Sequence, residues 1–412
     1  MLTIAVAAPA TAIVPAELLT PELERREISL SRLDGGQLNY FDAQRRLTAG
    51  PAGDFVRLSL SGEDDAQARL DSPSAKSAPL VIELIDGQQI AGRWSGAARD
   101  GEAIEWTHPT LGRFTLGLDE VQRVTRRSDQ APRAANAVGD PATAQGDTVV
   151  LNNGDRLVGF VIAVDEGAVT IQPDGADDSV RLPIDNVAYL GLANPVSSAT
   201  VAGDLITLAD GTRVRGTGVA IVGDTVTFTP TLADAMRPVD RPLAELRSVD
   251  FAASRVRLVD LMDQPMELID SGTAFGLSVT PAVRGDTLHL RAPMTVRYVL
   301  PEGVRRFAAK ATLDLPDGLP TDRARWANVG LSVGFDTTTP VAPRRWVLRP
   351  GQPGVTINLP LPPASDGDPG RRLTLEIDPA AHGPVLDRLR LTDAVLLVDQ
   401  PEVQPGTDDP DR

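Results

Sequence analysis

The sequence contains no cysteine. Disulfides, thiolate metal sites and cysteine nucleophiles are therefore excluded. It has only three histidines, His108, His289 and His382, far apart along the chain. No Ser-His-Asp order and no metal-ligating histidine spacing is present. Aromatic residues make up 4% of the chain, so its cores have to rest on Val, Leu, Ile and Ala. Basic residues are in the minority, and the formal net charge of −16 repels phosphate backbones and anionic membrane surfaces. The nearest approach to a basic run, Arg126-Arg127, reads as part of a solvated linker. No stretch reaches the roughly 20 apolar residues that span a bilayer as a helix. No long apolar stripe of period 3.6 appears, so helices are expected to be few and short. Glycine-rich phosphate loops are missing too: "DGTRVRGTG" follows a strand but opens no helix. The residues leave paired carboxylates for glycoside hydrolysis open, although such clefts are generally rich in aromatics.

What the chain does have is length, 412 residues, and turns, with 36 Gly and 34 Pro. The hydrophobic fraction of 42% suits globular structure, and the length calls for several domains. Residues 2–8 are mostly apolar and "APATA" offers small residues suited to a signal peptidase, but the positive leading region is missing. A shortened signal peptide and a flexible start both fit residues 1–24.

An internal repeat organises the middle of the chain. "IELIDGQQIAGRWSGA" begins at Ile82, "VVLNNGDRLVGFVIAV" at Val149 and "ITLADGTRVRGTGVAI" at Ile206. Each holds Asp-Gly or Asn-Gly followed by Gly at plus five: Gly87 and Gly92, Gly154 and Gly159, Gly211 and Gly216. Each closes on a similar tail, "LDEV", "IDNV" or "LAEL", and the first glycine precedes the closing apolar residue by 34, 33 and 35 residues. Even spacing of this kind marks a repeated structural unit. Alternating residues such as Val149 and Leu151 predict strands. Asn153-Gly154 predicts a tight hairpin turn with positive φ, and Gly159 a sharp bend or close backbone approach in the second strand. "ISLSRLDGGQLNY", with Asp34-Gly35 but Tyr40 at plus five, reads as a degenerate first copy. Residues 127–145 lack apolar periodicity and read as a linker.

"VVLNNGDRLVGFVIAVDEGAVTIQP" resembles the first motif of the Sm-like class of five-stranded barrels: strand, turn, Gly, bent strand, acidic turn, strand. The resemblance implies small barrels in series. Sm proteins that bind RNA use an Asn after the acidic turn and an Arg-Gly pair near the end. This chain reads "VDEGAV" and has no such Arg-Gly, so RNA binding is not carried over.

From Val256 the rhythm changes. Strand-like stretches at 295–316, 329–336, 354–361, 371–378 and 386–398, about seven or eight in all, predict an antiparallel sandwich. "VRLVDLMDQPMEL", "RAPMTVRYVLPEGVRRFAAKATLD" and "RRLTLEIDPAAHGPVLDRLRLTDAVLL" together resemble NPCBM-type carbohydrate-binding modules, jelly-roll sandwiches of the galactose-binding kind. The match spans 256–399. It departs where family members commonly carry a His, here Arg291, and where the closing hairpin often has a Trp, here Leu389 to Leu391.

The resemblance implies carbohydrate binding, which needs a flat aromatic face and planar polar groups. The candidates are Trp326, Trp346, Tyr298 and Arg291, with core packing as the competing role for each aromatic. Asp366 and Asp368 in "SDGDPG" fit either a calcium ion or a plain turn, and Asp387 a hydrogen bond to a turn. The expectation is therefore an all-β, exported, non-catalytic protein, periplasmic or on the cell surface, without cofactor, metal, nucleic-acid partner or membrane span. Its parts are a degenerate repeat (25–75), three small barrels (76–126, 146–200, 201–255), a jelly-roll β-sandwich (256–399) and an acidic tail (400–412). Its ligand is a glycan; the competing role is a protein-binding scaffold.

Overall fold

In the computed structural model, the residues described are 13–60, 80–98, 101–126, 146–165, 167–195, 202–232, 237–252, 256–271, 280–284, 287–315, 325–336, 342–361, 371–380 and 387–399. Among them the chain is all-β, with short 3-10 turns and no α-helix. Asp366, Asp368, His382, the linker 127–145 and the tail 400–412 lie outside the described residues.

The first unit comprises residues 1–20 and 24–253 and holds four copies of one five-stranded arrangement. In repeat III the strands are Asp147–Leu151, Arg156–Asp165, Ala168–Pro173, Val180–Pro183 and Val187–Gly191. They are antiparallel and pair in the order fifth, first, second, third, fourth. Repeats II, from Leu80 to Arg126, and IV, from Asp204 to Asp250, pair in the same order.

Local chemistry explains the recurrence. The first turn is a three-residue loop: Gly154 N–H donates to Leu151 O (2.9 Å), and Leu151 N–H to Asp155 O (2.9 Å). Gly154 alone takes a positive φ, +91°; Asn153 instead accepts the Asp155 N–H on its side chain at 3.0 Å. The predicted two-residue turn with both angles positive is thus replaced by a turn ending in one left-handed residue. Asp86-Gly87 and Asp210-Gly211 repeat the device. Gly159 serves close approach, because a Cβ there would sit on the Gln172 carbonyl of the third strand. Every second strand is ten residues long and breaks register partway, as between Val161 and Ala163. Such a bulge bends the strand across its neighbours.

The degenerate copy is a full repeat displaced by one strand. Residues 14–19, assigned by sequence to a leader or flexible start, form its first strand, Val14–Leu19, with Ala16 and Leu18 buried. Its first turn is closed by Thr20 N–H to Glu24 O at 3.0 Å, with Leu23 at φ +58° where the other repeats have glycine. The Asp34-Gly35 motif makes the second turn, with both Gly35 and Gly36 at positive φ.

The repeats are not separate beads, contrary to expectation. The fifth strand of repeat II, Val121–Arg126, pairs with that of repeat III. The fifth strand of repeat I, Arg57–Leu60, pairs with that of repeat IV, Leu246–Asp250, and Arg57 bridges Asp250. One continuous core runs from Ala16 to Phe251. Pairing of the fifth strands satisfies edges that separate beads would leave exposed.

The second unit covers 254–412, to which residues 21–23 are also assigned. Its described residues hold eleven strands rather than seven or eight, in two antiparallel sheets over one core. One sheet runs Ala282–Arg284, Thr287–Arg291, Arg388–Asp399, Val304–Leu313, Gly354–Pro360, with Val256–Asp260 also on Arg388–Asp399. The other runs Met266–Ser271, Met294–Val299, Arg372–Asp378, Val329–Asp336, Arg344–Leu348. Alternation puts Leu288, Leu290, Leu389 and Leu391 into the core and turns His289, Arg291, Arg388 and Arg390 outward.

Candidate functional site

Asp387 organises one end of the sandwich. It is wholly buried. Its carboxylate accepts the Asn328 N–H at 3.2 Å, and its carbonyl accepts the Ala292 N–H at 3.0 Å. The first bond pins the turn that carries Arg325 and Trp326; the second pins the strand end that carries Arg291. Arg388 follows Asp387 in the chain and pairs with Arg291 across the strands. Two of the four predicted residues, Trp326 and Arg291, therefore lie on segments whose neighbouring backbone amides both bond to Asp387, a residue that sequence had given a turn-bonding task.

Trp326 is 49% exposed. The Arg325 guanidinium lies over its ring, 5.0 Å from the centroid, and so covers one indole face. The other two aromatics are elsewhere. Tyr298 is 1% exposed, and its ring belongs to the core. Burial pushes its phenol above the usual range, and the nearby Asp260 charge adds to this. Trp346 is half-buried on the edge strand Arg344–Leu348, beside Leu331 on the inner face, and packs against the core. The alternation of the strand at Tyr298 foretold its burial. Nothing in the sequence separated Trp346 from Trp326.

A second polar cluster joins repeats II and IV. His108 Nε2 lies 2.9 Å from Asp210 Oδ2 and 3.0 Å from Thr212 Oγ1. His108 Nδ1 accepts the N–H groups of Thr110 and Leu111, each at 2.9 Å. The proton therefore sits on Nε2 and is donated toward Asp210 and Thr212. A catalytic relay needs the hydroxyl and the carboxylate on opposite ring nitrogens. Here both face Nε2, while backbone amides occupy Nδ1. His108, Asp210 and Thr212 are also buried at 1%, 7% and 0% exposure, so no substrate reaches them. Residues about a hundred positions apart meet only because the repeats pack, and that is why the sequence did not reveal the cluster. Arg126 donates to the Ile184 and Asp185 carbonyls and is spent on repeat packing rather than on a basic groove. No group of three or more His, Asp or Glu side chains among the described residues could hold a metal ion. No helix among them is long and apolar enough to cross a membrane.

No protein family matches the chain by sequence, and no curated protein does. Solved structures do resemble it. A second CBM51 module with INT domains, from Clostridium perfringens ZmpB, is 14% identical over 45% of this chain and 40% of that one, with a TM-score of 0.25. The CBM51 of Clostridium perfringens GH95, in complex with methyl-galactose, is 15% identical over 32% of this chain and 88% of that one, with a TM-score of 0.21. The tandem CBM51 modules of Sp3GH98, the family 98 glycoside hydrolase from Streptococcus pneumoniae SP3-BS71, are 11% identical over 93% of this chain and 88% of that one, with a TM-score of 0.25.

Proposed function

We propose that this chain is a non-catalytic glycan-binding protein, with the ligand held at the Asp387 end of a jelly-roll module. The supporting observation is that the segments carrying an exposed indole and outward guanidinium groups are both tied by backbone hydrogen bonds to one buried residue, Asp387. An aromatic face takes up the C–H side of a sugar ring while planar cations bond its oxygens. The repeats would act as the platform. Their strand order and bulged second strands support reading each as a small Sm-like barrel, fused to its neighbours. An exported location accords with a glycan ligand and is proposed with it. Retention of the full chain on immobilised envelope and plant polysaccharides tests the reading. Trp326→Ala is expected to weaken retention about tenfold or more, as loss of a central aromatic anchor does. No retention on any polysaccharide, or retention unchanged in Trp326→Ala, contradicts it.

One observation favours the alternative role as a protein scaffold. On the second strand of repeat III, Phe160 and Ile162 are 63% and 53% exposed. Large apolar side chains grouped on a strand mark a surface suited to a partner. Cross-linking that captures one dominant protein through this strand would favour the scaffold.

A further inference from the structure

Arg291 and Arg388 stand directly opposite one another in adjacent antiparallel strands. Buried Leu290 and Leu389, next to them in the chain, fix both arginines on the outer face. Like charges in this position repel and destabilise the sheet. The next outward row, His289 opposite Arg390, has a remedy in Asp314. One Asp314 oxygen lies 3.1 Å from His289 Nδ1, and the other 3.6 Å from Arg390 Nε. No carboxylate among the described residues pairs with Arg291 or Arg388. In a chain with 56 acidic and 40 basic residues, two facing arginines without a carboxylate partner among the described residues leave room for an anion supplied from outside. Arg325, stacked on Trp326 in the neighbouring turn, adds a third guanidinium at this end of the sandwich.

We propose that the ligand is an acidic glycan, whose carboxylate, sulfate or phosphate group is clamped between Arg291 and Arg388 while a sugar ring lies against Trp326. The proposal rests on the glycan-binding reading and narrows its substrate class. Guanidinium groups suit this task because their planar fork meets an oxyanion through two parallel hydrogen bonds. The clamp also accounts for an arginine at position 291: a neutral sugar has no use for a second cation facing Arg388.

The test is affinity electrophoresis of the full chain through gels containing polygalacturonate, dextran sulfate or neutral dextran, with polyglutamate as a polyanion without sugar. Retardation by one or both acidic polysaccharides is expected, with little by dextran or polyglutamate. Carboxylate and sulfate as anion sources are distinguished by which gel retards. Arg291→Gln and Arg388→Gln are each expected to weaken binding about tenfold, the scale of one lost charge-assisted hydrogen-bonding group. Arg345→Gln, which removes an exposed arginine already paired with Asp378 in the other sheet, should leave it unchanged. Three results overturn the proposal: equal retardation by dextran, equal retardation by polyglutamate, or indifference to both Gln substitutions. Binding to neutral dextran that Trp326→Ala abolishes would leave the glycan reading standing and remove only the acidic clamp. If no polysaccharide retards the protein, both fall together.

Discussion

Burial alone would raise the Asp210 carboxyl, yet the hydrogen bonds it accepts from His108 and Thr212 outweigh this and hold it below the usual carboxylate range. A depressed folded-state value means stability that is complete above the unfolded-state value, about 3.9. That stability is lost as the pH falls through the lower, folded-state value. Asp210→Asn keeps the turn, since Asn153 fills the same place in repeat III, but removes the charge. The variant should be less stable at neutral pH by about 1.5–3 kcal/mol, the range for hydrogen bonds to a charged group. Its denaturation midpoint should also vary less with pH below about 4 than that of the wild type, a difference that urea titrations at several pH values would measure. At this scale the sequence was partly legible. Tyr298 alternates with Val296 and Leu300, so its burial could be read directly. Trp326 and Trp346 both sit beside arginines, and only the strand pairing tells them apart. His108 and Asp210 carry no local signal, because neither shows a partner until the repeats have packed.

At the scale of elements, repeats II, III and IV each depend on two glycines with different duties. Gly154 supplies a left-handed backbone, with open space around it; Gly159 supplies clearance against the third strand. Gly154→Ala strains one turn and should cost about 1 kcal/mol. Gly159→Ala pushes a methyl group into the Gln172 backbone and should cost more, roughly 1–3 kcal/mol as overpacking does. Thermal or urea denaturation of the two variants gives the order, and equal costs would contradict the clearance role. These duties explain why three repeats could be seen in the sequence and the fourth was misaligned. Repeat I has Leu23 in the left-handed position and Ile28 five residues on, so its first turn has no glycine signature. Its second turn happens to read Asp-Gly, and the eye settles there.

Taken whole, the molecule comprises four fused repeats and a two-sheet sandwich that carries Arg291, Arg388 and Trp326. The fusion was invisible in the sequence because fifth-strand pairing between repeats I and IV spans nearly the entire first unit. The sandwich was legible as strands, because apolar alternation survives there between Pro, Gly and Asp turns. The four tryptophans report on the two bodies separately. Trp106 is wholly buried and Trp94 half-buried in repeat II, Trp346 is half-buried in the sandwich, and Trp326 is 49% exposed at the candidate site. The most direct test of ligand engagement at the sandwich is tryptophan fluorescence of the full chain during titration with a retained polysaccharide. A sugar against Trp326 removes water from its ring, so a saturable blue shift is expected in the wild type and should disappear in Trp326→Phe. A shift that persists unchanged in Trp326→Phe, or saturable binding with no shift in the wild type, would contradict the account.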